Sequence, residues 1–234
     1  MNHTSFKNVS IGDIVTEDFR AAEIFKNAGI DFCCGGKKSL DEACQEKGIA
    51  TGNLTAELLK LLDSPVVVSQ DFKNWDLGFL CDYIMNTHHK YVLKSLPDLV
   101  MYTQKIASVH GEHHPELIEI AGIIAMVNAE LLQHLKNEEE VLFPAIKAVL
   151  ATGSMEAKPI IIAEIARMND EHEVAGGALD TIQVITNGYT VPEDGCNSYR
   201  VAFKLLHEFE EDLHTHVHLE NNILYLKALG LAKS

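Results

Sequence analysis

Two stretches of the chain pair a histidine with a glutamate four residues later: His134-Leu135-Lys136-Asn137-Glu138 and His216-Val217-His218-Leu219-Glu220. Each continues with a leucine eight residues after its histidine and an aromatic ring nine after it, Leu142-Phe143 and Leu224-Tyr225. On a helix, a spacing of four sets imidazole and carboxylate on one face, about 6 Å apart along the axis, where both reach one metal ion. One such pair is better read as a partly exposed ion pair. Its repetition with the same apolar and aromatic followers points to ligands.

A second group with chemical potential is Asp31-Phe32-Cys33-Cys34-Gly35-Gly36-Lys37-Lys38. Adjacent Cα atoms lie about 3.8 Å apart, closer than relaxed disulfide geometry allows, so Cys33 and Cys34 are expected as free thiols. The two glycines permit a sharp turn or a close backbone approach, and the two lysines would favour thiolate. The competing reading is two small buried residues before a glycine turn. The five cysteines (Cys33, Cys34, Cys44, Cys81 and Cys196) make no disulfide framework, which fits a reducing compartment.

The elements that must position these groups read as helices. Residues 1–62 give a small helical domain: Asp18–Ala28 with Gly29 as its stop, a helix opened by the capping box Ser39-Leu40-Asp41-Glu42 and ending near Gly48, and Leu54–Leu62 capped by Asn53. Residues 63–74, with Pro65 and the β-branched run Val66-Val67-Val68, read as a linker. From residue 75 to 234, breaks near Gly111–Pro115, Ala151–Pro159 and Asn187–Gly195 leave four long helices, roughly 76–109, 115–150, 157–186 and 196–230. Short connections make neighbours antiparallel, so the expected fold is all-α, an up-down-up-down four-helix bundle behind a small helical domain.

At 1.5 Å of rise per residue, His89 stands roughly 20 Å up the first helix, His134 roughly 24 Å, His172 roughly 22 Å and His216 roughly 21 Å. Four helices thus each bring a histidine to one layer, with Glu138 and Glu220 one turn away. Four imidazoles and two carboxylates suit two metal ions, each with two histidines and sharing both glutamates as bridges. Imidazole and carboxylate with open positions for water or an oxo group favour iron, with manganese or zinc as alternatives. Four buried histidines with no metal would leave both carboxylates without cations, which is costly.

Other histidines divide less sharply. His88 points about 100° away from His89, so only one faces the axis of an undistorted helix, and spacing does not choose between them. His218 has Asn222 where His216 has Glu220, which favours His216. His207 and His214 lie on a charged face and read as solvated. His110, His113 and His114 fall in a loop and could form a secondary metal or gate site, and His3 reads as disordered.

The net charge of −15 argues against nucleic acid or an anionic membrane as partner. The polar first ten residues lack a secretory core, and no uncharged apolar run has the length of a membrane span, so a cytoplasmic protein is expected.

With these residues in view, the sequence resembles the family of iron–sulfur cluster repair di-iron proteins over nearly its whole length. The Cys-Cys-Gly-Gly motif falls at Cys33-Cys34-Gly35-Gly36, ahead of a hemerythrin-like domain. Counting back from Leu96-Pro97 places the first ligand on His89. The others fall on His134 and Glu138 before Leu142-Phe143-Pro144, on His172, and on His216 and Glu220 before Asn221-Asn222. The family's last motif usually continues Leu-Phe-Pro; here it runs Leu224-Tyr225-Leu226, a departure expected to touch no ligand. The resemblance implies two non-haem irons, carboxylate- and oxo-bridged, in a stress protein that restores iron–sulfur clusters damaged by nitric oxide or peroxide, by delivering iron, by reacting with nitric oxide, or both. It implies damaged iron–sulfur proteins as partners, nitric oxide or oxygen as small ligands, Cys33 and Cys34 as functional thiols, and a homodimer. The alternative is a hemerythrin-like oxygen or nitric oxide binding or sensing protein without repair activity.

Overall fold

The computed structural model describes residues 6, 9–63 and 71–234. His3 and most of the expected linker lie outside the described residues. Four short helices come first: α1 Ile11–Glu17, α2 Ala21–Asn27, α3 Leu40–Lys47 and α4 Thr51–Asp63. Of the helix expected over Asp18–Ala28 only Ala21–Asn27 forms, as α2, and α1 precedes it; Asp18 lies between them in extended conformation and turns to hold Arg20 at 2.6 Å. The capping box is formed, with Ser39 Oγ accepting from the Glu42 N–H and the Glu42 carboxylate from the Ser39 N–H. Gly29 and Gly48 end α2 and α3 with φ near +64° and +67°, a conformation open to glycine. Asn53 does not cap α4; that helix begins two residues earlier, at Thr51.

Four long helices follow: α5 over 77–110, α6 Glu116–Thr152, α7 Ala157–Ile185 and α8 over 197–233. Each packs against its two neighbours around a ring, giving the expected all-α bundle. By length and composition α6 is apolar enough to cross a membrane, yet it carries His134 and Glu138 into the bundle interior. Three of the four are not regular throughout. Wider, five-residue turns interrupt α5 at Met85–His89, α6 at Glu138–Leu142 and α8 at Glu220–Leu224. Such π-turns concentrate at functional sites.

The apolar core falls into two parts. One holds Val92, Leu99, Ile124, Leu131, Leu179 and Leu213, and runs on without a break into Ile11, Val15, Phe25 and Leu40 of the small helices. The other holds Leu80, Ile84, Leu142, Ile146, Ile165 and Leu224. On the bundle helices His89, His134, Glu138, His172, His216 and Glu220 stand between the two.

Candidate metal centre

His89 from α5, His134 and Glu138 from α6, His172 from α7, and His216 and Glu220 from α8 meet in that polar layer, all essentially inaccessible to solvent. Their donor atoms form two groups: His89, Glu138, His216 and Glu220 in one, His134, His172 and Glu220 in the other. Glu220 spans both, with Oε1 2.9 Å from His216 Nε2 and Oε2 3.2 Å from His172 Nε2. Glu138 Oε2 lies 3.2 Å from His89 Nε2 and 3.4 Å from His134 Nε2, so it too reaches an imidazole of each group.

The outer face of three of the four rings explains why the inner nitrogen points inward. His89 Nδ1 lies 2.8 Å from Glu139, His134 Nδ1 2.7 Å from Glu171, and His172 Nδ1 2.9 Å from Asn221 Oδ1. Partners of this kind fix the ring and leave Nε2 for a metal. His216 lacks one: its Nδ1 is buried without a hydrogen bond, and its ring is held by stacking on His88 at 5.4 Å.

The charge balance of the layer calls for cations. Burial pushes His89 down, but Glu138 and Glu220 outweigh it and raise the imidazole to about 10; His134 is likewise raised to about 10, chiefly by Glu138. Burial alone would raise Glu220, yet His216, His172 and His89 hold it well below the usual carboxylate range. In the chain by itself, only protons on imidazole compensate the two carboxylates. His89 Nε2, Glu138 Oε2 and Glu220 Oε2 have no hydrogen-bond partner, and His134 and His172 aim their Nε2 atoms at each other across 3.1 Å. Metal ions at the centre would satisfy all of these, and the all-nitrogen-and-oxygen donor set fits iron, manganese or zinc.

The π-turns supply the rest of the shell. In an α-helix, residue i+5 lies about 140° around from residue i. Here the Phe143 N–H bonds to the Glu138 carbonyl and the Tyr225 N–H to that of Glu220, which turns each ring toward the helix face that carries the glutamate. Phe143 stacks on His89 and Tyr225 on His172. Tyr225 Oη also donates to Glu138 Oε1 at 2.6 Å. The expectation that Leu224-Tyr225-Leu226 touches no ligand is therefore corrected: the hydroxyl that a phenylalanine would lack lies directly on Glu138.

The model of the hemerythrin HHE cation binding domain matches residues 82–228, and that of a domain of unknown function (DUF542) matches residues 7–62. The iron-sulfur cluster repair protein YtfE of Yersinia pestis (strain Pestoides F) is 34% identical over 224 residues, which is 96% of this chain and 98% of the relative. The chain belongs to the iron–sulfur cluster repair family. Another family member, YtfE of Enterobacter sp. (strain 638), is 32% identical over 97% of this chain and 99% of its own. The hemerythrin match contains all six converging side chains, and the other contains Cys33 and Cys34.

The family's Cys-Cys-Gly-Gly motif docks on the bundle beside the centre. Cys34 Sγ lies 3.5 Å from the carbonyl oxygen of His172. Asn222 Nδ2 donates to the Cys33 carbonyl at 3.1 Å and sits 3.2 Å from His218 Nδ1. A Cβ on Gly36 would lie 2.5 Å from Asn222 Oδ1, and one on Gly12 2.4 Å, so both glycines make room for this amide. The thiols are free, but lysine activation of Cys33 is corrected. Cys33 is buried, and Cys34 and burial push its thiol well above the usual range, while Lys38 pairs with Glu46. Cys34 is half-buried.

Several other histidines differ from expectation. His88 and His89 are both buried, at the π-turn that distorts α5; only His89 faces the centre, while His88 Nδ1 binds Asp212 at 2.9 Å. His214 is not solvated: it lines a cavity with Cys33, and burial lowers its pKa. His110 Nε2 lies 3.1 Å from Cys196 Sγ, and His114 contacts Asp194 and Glu116, at the bundle end remote from the centre. Reasoning from sequence missed Tyr225, Asn222 and the outer partners Glu139, Glu171 and Asn221. The one signal available was the aromatic position repeated nine residues after His134 and His216.

Proposed function

We propose that this chain is a di-iron protein that restores iron–sulfur clusters damaged by nitrosative or oxidative stress in the cytoplasm. The carrying observation is that Glu138 and Glu220, both fully buried, each reach imidazoles of both donor groups and keep an oxygen without a hydrogen bond. Two irons would be held by His89 and His216 on one side and His134 and His172 on the other, with both glutamates as bridges. When bound, the pair supplies non-haem redox chemistry toward nitric oxide or oxygen. The protein's own residues orient the imidazoles through Glu139, Glu171 and Asn221, hold the Tyr225 hydroxyl as a donor to Glu138, and exclude water with two apolar cores. The domain plan is 1–62 for the thiol-bearing helices, 63–74 for the linker and 75–234 for the bundle. Cys33 and Cys34 engage the damaged protein or the iron in transfer, a reading supported by the contact of Cys34 with the His172 carbonyl and by the names of the relatives.

Elemental analysis and repair of a nitric-oxide-damaged iron–sulfur enzyme test this together. Two irons per chain are expected, with more than half lost in Glu138→Ala or Glu220→Ala, because each bridge serves both ions. Cys33→Ala with Cys34→Ala should keep both irons and lose repair. Full iron in both glutamate variants would contradict bridging, and normal repair by the double cysteine variant would remove the thiols from the mechanism.

A further inference from the structure

Asp31, Cys33 and Cys34 bring a carboxylate oxygen and two sulfurs within 4.8 Å of one another. The sulfurs are 3.8 Å apart, and Asp31 Oδ1 is 3.1 Å from Cys33 Sγ. A tetrahedral ion with bonds of about 2.3 Å to sulfur spaces two thiolates about 3.8 Å apart. The two thiols therefore already stand at the edge length of a metal tetrahedron. The carboxylate is fixed as well. Its Oδ1 accepts from the N–H groups of Cys33 and Cys34 at 2.9 and 3.0 Å, and its Oδ2 from that of Gly35 at 2.8 Å. Little conformational freedom remains to be lost on binding, which favours affinity.

Beside this group opens a cavity of about 270 Å³ between the small helices and the bundle, lined by Asp31, Cys33, Asp180, His214, Lys26 and Lys47. It leaves space at Cys33 for a fourth ligand, water or one of the side chains that line it. On the other side, Cys34 Sγ rests on the carbonyl of His172, whose ring faces the paired centre. A Cβ on Gly176, one turn further along α7, would lie 3.3 Å from the same sulfur.

We propose that Asp31, Cys33 and Cys34 form a third, mononuclear cation site for a thiophilic divalent ion such as ferrous iron or zinc, between the paired centre and the cavity. Thiolate donors select such ions over magnesium or calcium. Binding exchanges two S–H bonds for two metal–sulfur bonds and releases two protons, with no change of oxidation state. The hydrogen bond from Cys33 to Asp31 gives way to the metal, leaving the backbone bonds of Asp31 in place. Service as a way station for iron rests on the delivery reading above; the cation site itself does not.

The iron-loaded full-length protein is titrated with Co²⁺, whose thiolate charge-transfer absorption reports sulfur ligation, and paired-centre iron is measured in the same samples. One further equivalent of cobalt with a thiolate band is expected. The band should vanish in Cys33→Ser with Cys34→Ser, and Asp31→Asn should weaken cobalt binding on the order of tenfold or more. Retained paired-centre iron shows that each variant has folded. Should the cysteine variant lose its iron, Asp31→Asn, which keeps an oxygen for the backbone N–H groups, decides alone. No uptake by the parent protein, a band surviving in the double variant and so belonging to another thiol, or unchanged affinity in Asp31→Asn would overturn the site. Third-site binding without iron in the paired centre would instead count against the delivery reading.

Discussion

Tyr225 sits where two roles meet. Its ring lies nearly parallel to His172, 5.8 Å between centroids, and its hydroxyl donates to Glu138. Burial and the charges of Glu138 and Glu220 hold the phenol well above its ordinary pKa, so the proton stays on the oxygen. Tyr225→Phe keeps the stack and leaves Glu138 Oε1 without its donor, a loss of about 1–3 kcal/mol for a buried acceptor. The expected outcome is a folded protein with iron affinity reduced about 10–100-fold, the usual effect of losing an outer-shell partner, measured by competition with a chelator. Unchanged affinity would show that Glu138 needs no help from the phenol. The ring at this position was visible in the sequence as a repeat. Its partner was not, because a contact between α8 and α6 depends on how the helices are rotated.

At the scale of the element, the last helix uses two adjacent His-x-x-x faces for different purposes. His216 and Glu220 face the centre, while His218 and Asn222 face the small helices, where Asn222 donates to the Cys33 carbonyl. Asn222→Ala removes that donor and should loosen the docked motif without touching a proposed iron ligand. Cys33 is 4% exposed as folded, so its alkylation should quicken several-fold in this variant while iron content stays constant. An alkylation rate equal to that of the parent would mean that packing of Phe32 against His218 and His214 suffices to hold the motif. Helix rise sets His89, His134, His172 and His216 near one level, and their side chains converge although α5, α6 and α8 are interrupted there, because one wide turn displaces a residue by little compared with the length of its side chain. The turns themselves left no mark that periodicity could read.

For the whole molecule, the polar layer divides one apolar core into two. Removing metal with a chelator leaves Glu138 and Glu220 facing the imidazoles of the layer, His89 and His134 among them. Both imidazoles are raised to about 10 by those carboxylates, against the opposing effect of burial. A raised folded-state value gives stability that is fully present below the unfolded value of about 6.5 and is lost as pH rises through about 10. The melting temperature of the chelated protein should therefore fall steadily between pH 7 and 10, and that of the iron-loaded protein should exceed it throughout, since metal binds the folded state. A chelated protein with a flat profile over this range would show that the layer is not held by imidazole protons.

Local periodicity and spacing along one chain place the four bundle helices in order and set His89, His134, Glu138, His172, His216 and Glu220 near one level, and adjacency disfavours a relaxed bridge between Cys33 and Cys34. The resemblance of its motifs chose His89 over His88, which spacing could not. Tertiary structure alone decided which groups complete the shell and where the small helices sit. Tyr225 on Glu138, Glu171 on His134, Asn222 on Cys33 and the cavity at Asp31 all join residues far apart in the chain. Such contacts depend on the rotation of each helix about its axis and on the π-turns that reset it, and neither is encoded in the spacing of residues along a single helix.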